Sequence, residues 1–134
     1  MRYLIILCIL LAGCQKKTES LPIKNIWSLE EVKRISCKGK VCVEETKKGC
    51  TIEYGGFALI NNTFSLLIFR YETCNEKTKR TLFEKVNKAE YKVTSRTIVL
   101  KDKKYKIHKS TSKKLVLVRT EKNINNWYYF KVNT

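Results

Sequence analysis

The stretch "CTIEYGGFALINNTFSLLIFRYETC", residues 50–74, decides the fold. In its first half Cys50, Ile52 and Tyr54 alternate with Thr51 and Glu53, the period-two pattern of a strand with one face turned inward. Gly55-Gly56 allows a bend or a bulge, and "FALI" continues the apolar run. Asn61-Asn62 suits a turn, because asparagine tolerates left-handed backbone and bonds its own main chain. "TFSLLIFRY" is apolar on both faces, which predicts a central strand. A three-residue loop centred on Asn62 then sets Cys50 opposite Cys74. A bulge at Gly55-Gly56 would move that register by one.

The signal repeats downstream. "CNEKTK" reads as a polar turn, and "TLFEKV", "EYKVTS" and "TIVLK" read as strands. Asp102-Lys103 closes a hairpin into "KYKIHK", and "KLVLVRT" and "NWYYFKV" complete the series. Many short strands with no helix between them predict a mainly β chain, a small antiparallel barrel or sandwich. Upstream, Ser28-Leu29-Glu30-Glu31 matches the S-x-x-E capping box, with Trp27 and Val32 as flanking apolar residues. "SLEEVKRI" therefore reads as a short N-terminal helix of two turns. Its length leaves a strand open as the other reading.

Leu4 to Gly13 is uncharged and apolar, with Arg2 before it. That is a secretory layout, and too short for a spanning helix, which needs roughly 20 apolar residues. The run ends in Leu11-Ala12-Gly13-Cys14. This motif resembles the lipobox of bacterial lipoproteins. The resemblance implies a signal peptide over residues 1–13, a diacylglyceryl group on Cys14 and cleavage before it by signal peptidase II. Residues 14–25 are then the lipidated cysteine and a polar tether holding the only proline, Pro22. Residues 26–134 form a single β-rich domain. Two or three acyl chains anchor a protein stably, at about 0.8 kcal/mol per buried methylene. Gln15, where an aspartate would signal inner-membrane retention, implies the outer membrane, facing the periplasm.

Four cysteines remain beyond Cys8 and Cys14: Cys37, Cys42, Cys50 and Cys74. An even number in an oxidising compartment reads as disulfides. A zinc knuckle would need closer paired spacing, so no metal is expected. Four cysteines allow three pairings. Local geometry favours Cys37–Cys42, across a turn at Gly39-Lys40, and Cys50–Cys74, across the hairpin. Loop closure gives about 2 kcal/mol for the short ring and about 3.5 kcal/mol for the long one.

The formal charge is +16, from 28 lysines and arginines against 12 acids. Base is densest from Lys92 to Arg119, where Asp102 is the lone acid. Lys101, Lys103, Lys104, Lys106, Lys109, Lys113, Lys114 and Arg119 are the candidate binding residues, expected on one outward face and its turns. Such a face suits an anionic lipid, lipopolysaccharide, a wall polymer or an acidic protein. The expected export sets nucleic acid aside despite the basic charge. The other reading of the patch is a solvated surface.

No residue set calls for catalysis or a cofactor. His108 is the single histidine, in a lysine-rich strand. Ser110 lies near Lys109 and Lys113, but a serine–lysine pair needs a buried neutral lysine. Glu30-Glu31 and Glu44-Glu45 are neighbours, which a strand sends to opposite faces. In "NWYYFKV", alternation sends Trp127 and Tyr129 one way, Tyr128 and Phe130 the other, and one pair should be core. The early Trp27, the meander and the close "YKIHKSTSKKLVLVRT…NWYYFKV" are similar to small bacterial lipocalin-like lipoproteins, with Asn25 in place of the glycine of their Gly-x-Trp signature. The expected function is a lipid-anchored, non-catalytic binding module of the cell envelope. The alternatives are an inhibitor, immunity or exclusion lipoprotein, or a structural subunit of a secretion or conjugation machine.

Overall fold

Residues 50–74 form the hairpin that their alternation predicts: β3 (Cys50–Ile60) and β4 (Phe64–Cys74) pair in register from Ile60↔Phe64 to Cys50↔Cys74. The computed structural model describes residues 22–133, which contain ten strands and no helix. The remaining strands are β1 (Asn25–Lys38), β2 (Val41–Glu44), β5 (Lys77–Ala89), β6 (Lys92–Thr94), β7 (Thr97–Val99), β8 (Lys104–Ser110), β9 (Lys114–Glu121) and β10 (Ile124–Val132). All pairings are antiparallel. The order is β5-β4-β3-β1-β10-β9-β8-β7-β6, and β2 pairs with the far end of β1. No pairing joins β5 to β6, so the sheet stays open along that seam. This open antiparallel sheet is compatible with both the barrel-like and the sandwich-like expectation.

The sheet curls around one apolar interior. Trp27, Ile60, Phe64, Leu66, Ile68, Ile98, Tyr105, Ile107, Leu115, Leu117, Tyr128 and Phe130 are fully buried there. Each large apolar side chain so buried contributes roughly 1.5–3 kcal/mol. Phe64 of β4 stacks near Tyr105 of β8, ring centroids 5.3 Å apart, so strands from the two halves of the order meet across the interior. Ile23, just before β1, is also buried, and its carbonyl accepts the indole N–H of Trp27 at 2.8 Å. The chain thus joins the core two residues before its first strand. Cys14 and the apolar segment before it lie outside the described residues.

The expected helix over "SLEEVKRI" is a strand. Its i, i+3 spacing of Leu29 and Val32 comes from a bulge. Leu29 pairs with Phe130 and Glu31 with Tyr129, which leaves Glu30 as the extra residue. The bulge lets Leu29 pack on the core and buries Val32 in it, while Glu30 reaches Lys114 at 2.7 Å. One extra residue in a period-two strand mimics a helical period over four positions. The polar turn "CNEKTK" is shorter than its sequence suggests: only Asn75 and Glu76 turn, both left-handed at φ 51° and 65°. That two-residue geometry matches the twist of the flanking strands.

Gly55-Gly56 holds no bulge, because the register runs through it unbroken. The glycine is needed for contact instead. Gly56 has φ +154°, and a Cβ there would stand 1.9 Å from the Leu67 carbonyl oxygen. Both favoured disulfides are present, Cys37–Cys42 across the β1–β2 turn and Cys50–Cys74 at the open end of the β3–β4 hairpin.

Candidate functional site: an outward lysine face and a charged mouth

Alternation along β8 sends Tyr105 and Ile107 into the core and leaves Lys104, Lys106 and His108 exposed. Lys101 and Lys103 stand in the β7–β8 connection, and Lys113 and Lys114 at the β8–β9 connection, the latter opening β9. Lys109 follows His108 at a bulge opposite β9, between Ile107↔Leu117 and Lys109↔Val116. Six of the eight candidate residues (Lys101, Lys103, Lys104, Lys106, Lys109 and Lys113) enter no ion pair among the described residues. They do not form one cluster. They divide between the two ends of β8, which lie about 20 Å apart at ~3.3 Å per residue.

The other two candidates behave differently. Lys114 is tied to Glu30. Arg119 continues the inward row Leu115–Leu117 of β9, and its side chain is only 18% exposed. Its guanidinium lies 3.6 Å from Glu84 and 3.1 Å from Glu121. A cation held by two carboxylates supplies little charge to an outside partner.

Beside the lysines the outer face carries aromatic rings. His108 meets the edge of Trp127 at 4.9 Å, and Trp127 stacks with Tyr129 at 6.5 Å and 19°. Lys33 of β1 lies 5.5 Å above the Tyr129 ring. Tyr128 and Phe130 are the core pair. The outer pair is half-buried, and it covers Val116 and Val118 of the neighbouring strand.

The interior changes character along the strands. At the end where β1 pairs with β3 it is apolar. Towards the end where β1 pairs with β2 it becomes ionic. Glu84 is buried and accepts the hydroxyls of Tyr105 and of Tyr128, the latter at 2.5 Å. Burial first, and the Glu84 carboxylate second, push both phenols well above their ordinary range. Arg34 donates to Asn126 at 3.1 Å and lies 3.4 Å from Glu45. Tyr54 donates to Glu45 at 2.5 Å, and burial followed by that bond pushes it up to about 12. Arg70 links Glu45 at 3.5 Å to Glu72 at 2.9 Å, and Lys47 closes on Glu72 at 2.7 Å. Lys47 first, then Arg70, hold the Glu72 carboxyl below the usual range.

A pocket of about 330 Å³ opens at this mouth, lined by Arg34, Ser36, Val43, Glu44, Glu45, Thr46 and Ile124. The mouth binds its own charges. Arg34, Arg70, Arg119 and Lys47 are matched by Glu45, Glu72, Glu84 and Glu121, four cations to four carboxylates. Such a balanced network leaves these four cations little charge for a ligand, whereas Lys101, Lys103 and Lys104, which share a neighbouring pocket with Arg119 and Glu121, stay outside it.

Sequence reasoning did not find this network, although a signal for it exists. Val32–Arg34, Ile68–Arg70–Glu72 and Leu117–Arg119 each extend an inward apolar row by a charge. A charge at an inward position needs a partner from another strand, because desolvating it alone is costly. Cys50, Glu72 and Cys74 also stand within ligand distance of one another, but both sulfurs are spent in the disulfide. The Ser110 hydroxyl is buried without a hydrogen-bond partner among the described residues. No protein-family profile, curated protein or solved structure matches this chain.

Proposed function

We propose that the chain is a lipid-anchored protein of the cell envelope that acts as a non-catalytic binding module, holding an anionic ligand or surface by charge. The observation that carries this reading is the contrast between its two sets of cations. Those of the mouth are neutralised by carboxylates, whereas Lys101, Lys103, Lys104, Lys106, Lys109 and Lys113 have no acid partner among the described residues. The anchor is Cys14, on the strength of Leu11-Ala12-Gly13-Cys14 closing an uncharged run.

Charge acts at short range here, because the Debye length is about 8 Å at physiological salt. Each lysine near an anionic surface adds up to about 1 kcal/mol. A chain beginning at Gln15 keeps every residue of the described core and both disulfides, and it removes the anchor from the measurement. Its binding to vesicles of anionic phospholipid or to lipopolysaccharide should weaken as salt is added. Binding no stronger than that to neutral vesicles at low salt would reduce the face to a solvated surface. The anchor has its own test. Cys14→Ser should abolish acylation and processing, and an unmodified Cys14 in the mature wild-type chain would refute it.

A further inference from the structure

The register of the sheet aligns one outward row across six strands. It runs Lys114↔Lys131↔Ser28↔Phe57↔Leu67↔Lys85, through β9, β10, β1, β3, β4 and β5. The row beside it contains Ile26↔Leu59↔Ser65. The centre of this band is apolar and open: Ile26 is 47% exposed and Phe57 41%. A groove of about 240 Å³ runs along it, with Phe57, Leu59, Leu67 and Val86 in its lining and Lys85 at its side. Lysines flank the band on both sides, Lys85 on one and Lys131 on the other, while Lys114 beyond it is held by Glu30. Neighbouring strands are about 4.8 Å apart, so Lys85 and Lys131 stand roughly 20 Å from one another measured along the curved sheet.

We propose that this band is the face seated on the membrane, with Ile26, Phe57, Leu59 and Leu67 at the headgroup level and the flanking lysines against anionic lipid. The inference rests on the reading of Cys14 as the anchor. Cys14 is nine residues before Ile23, a reach of at most about 32 Å at 3.3–3.6 Å per residue. The chain joins the sheet at Asn25-Ile26, which is inside the band. The acylated residue and the band are therefore bound to the same few nanometres of surface. The mouth lies at the opposite end of the strands. The band places apolar side chains and lysine stems together at an interface, where each finds its solvent.

The test uses the full acylated chain in vesicles that contain anionic lipid brominated near the headgroup, which quenches indole fluorescence on contact. Two variants carry a new indole: Phe57→Trp in the band and Val43→Trp at the mouth, where Val43 is 60% exposed. Both positions are outward or at a rim, and circular dichroism checks that each variant is folded. The expected result is a loss of the added fluorescence in Phe57→Trp and none in Val43→Trp. Equal loss in both, or loss at the mouth alone, overturns the seating while the chain still floats with the vesicles. A chain that floats with its Phe57→Trp indole unquenched, and cross-links to a second copy through the band, also overturns it. An unmodified Cys14 and a chain that does not float overturn the anchor reading, and the seating falls with it.

Discussion

Glu84 accepts two tyrosine hydroxyls and faces one guanidinium, so removing it leaves two buried phenols without their acceptor and Arg119 with Glu121 alone. Glu84→Ala should cost about 3–5 kcal/mol in urea unfolding, the range for breaking a buried ion pair from one side. Glu84→Gln keeps an acceptor for one hydroxyl and should cost less. The same burial sets a pH dependence. Tyr105 and Tyr128 have folded pKa values raised above the unfolded value of about 10. Their contribution is complete below that value and is lost as the pH rises above it. Spectroscopic titration of tyrosinate should therefore show these two phenols silent until the chain unfolds in alkali, and an early titration of all tyrosines would contradict the buried cluster. Glu72 has the opposite sign. Its folded pKa is lowered, so its contribution is present above the ordinary carboxylate pKa of about 4 and is lost on acidification below it. Glu72→Gln should flatten the acid limb of the stability profile.

At the scale of elements, the β3–β4 hairpin offers a sharp contrast between adjacent glycines. A Cβ on Gly55 meets only the Tyr71 ring, at an ordinary 3.5 Å, whereas a Cβ on Gly56 would overlap the backbone of β4. Gly55→Ala should change stability by under about 1 kcal/mol and Gly56→Ala should lower it by about 3 kcal/mol or more, measured by thermal or urea unfolding. The two disulfides close unequal rings, with sequence separations of 5 and 24. Replacing Cys37 and Cys42 by serine should cost about 2 kcal/mol, and replacing Cys50 and Cys74 about 3.5 kcal/mol. Alkylation of the unreduced, folded chain should label none of the four.

For the whole molecule, the division of the lysine face between the two ends of β8 makes a prediction that composition alone does not. Lys103→Glu with Lys104→Glu reverses one end, and Lys113→Glu with Lys109→Glu reverses the other. If both ends touch one anionic surface, each pair of reversals should weaken vesicle binding by about tenfold or more at low salt, from up to about 1 kcal/mol for each lysine lost and a like-charge penalty added. If a single end makes the contact, only one pair will act. Arg119→Gln should leave that binding unchanged and reduce stability instead, because its guanidinium serves Glu84 and Glu121.

What the sequence determined by itself is local. Alternation and turn residues specify the strands from Cys50 onward, the loop at Asn61-Asn62 and the turn at Gly39-Lys40. The cysteine spacing follows from those registers, which is why both disulfides were legible. The outward lysines of β8 were legible too, since period-two geometry assigns a face without knowledge of the partner strand. Tertiary structure decided the rest. The helical spacing at Leu29 and Val32 is a bulge fixed by pairing with β10, more than ninety residues away. Arg119 reads as one more surface cation until β5 brings Glu84 against it across the interior. The apolar band through Ile26, Phe57 and Leu67 exists only as neighbouring positions on separate strands. Such features depend on which strands become neighbours and how far the sheet curls. Both are set by burying one shared core, and no window of local sequence contains that information.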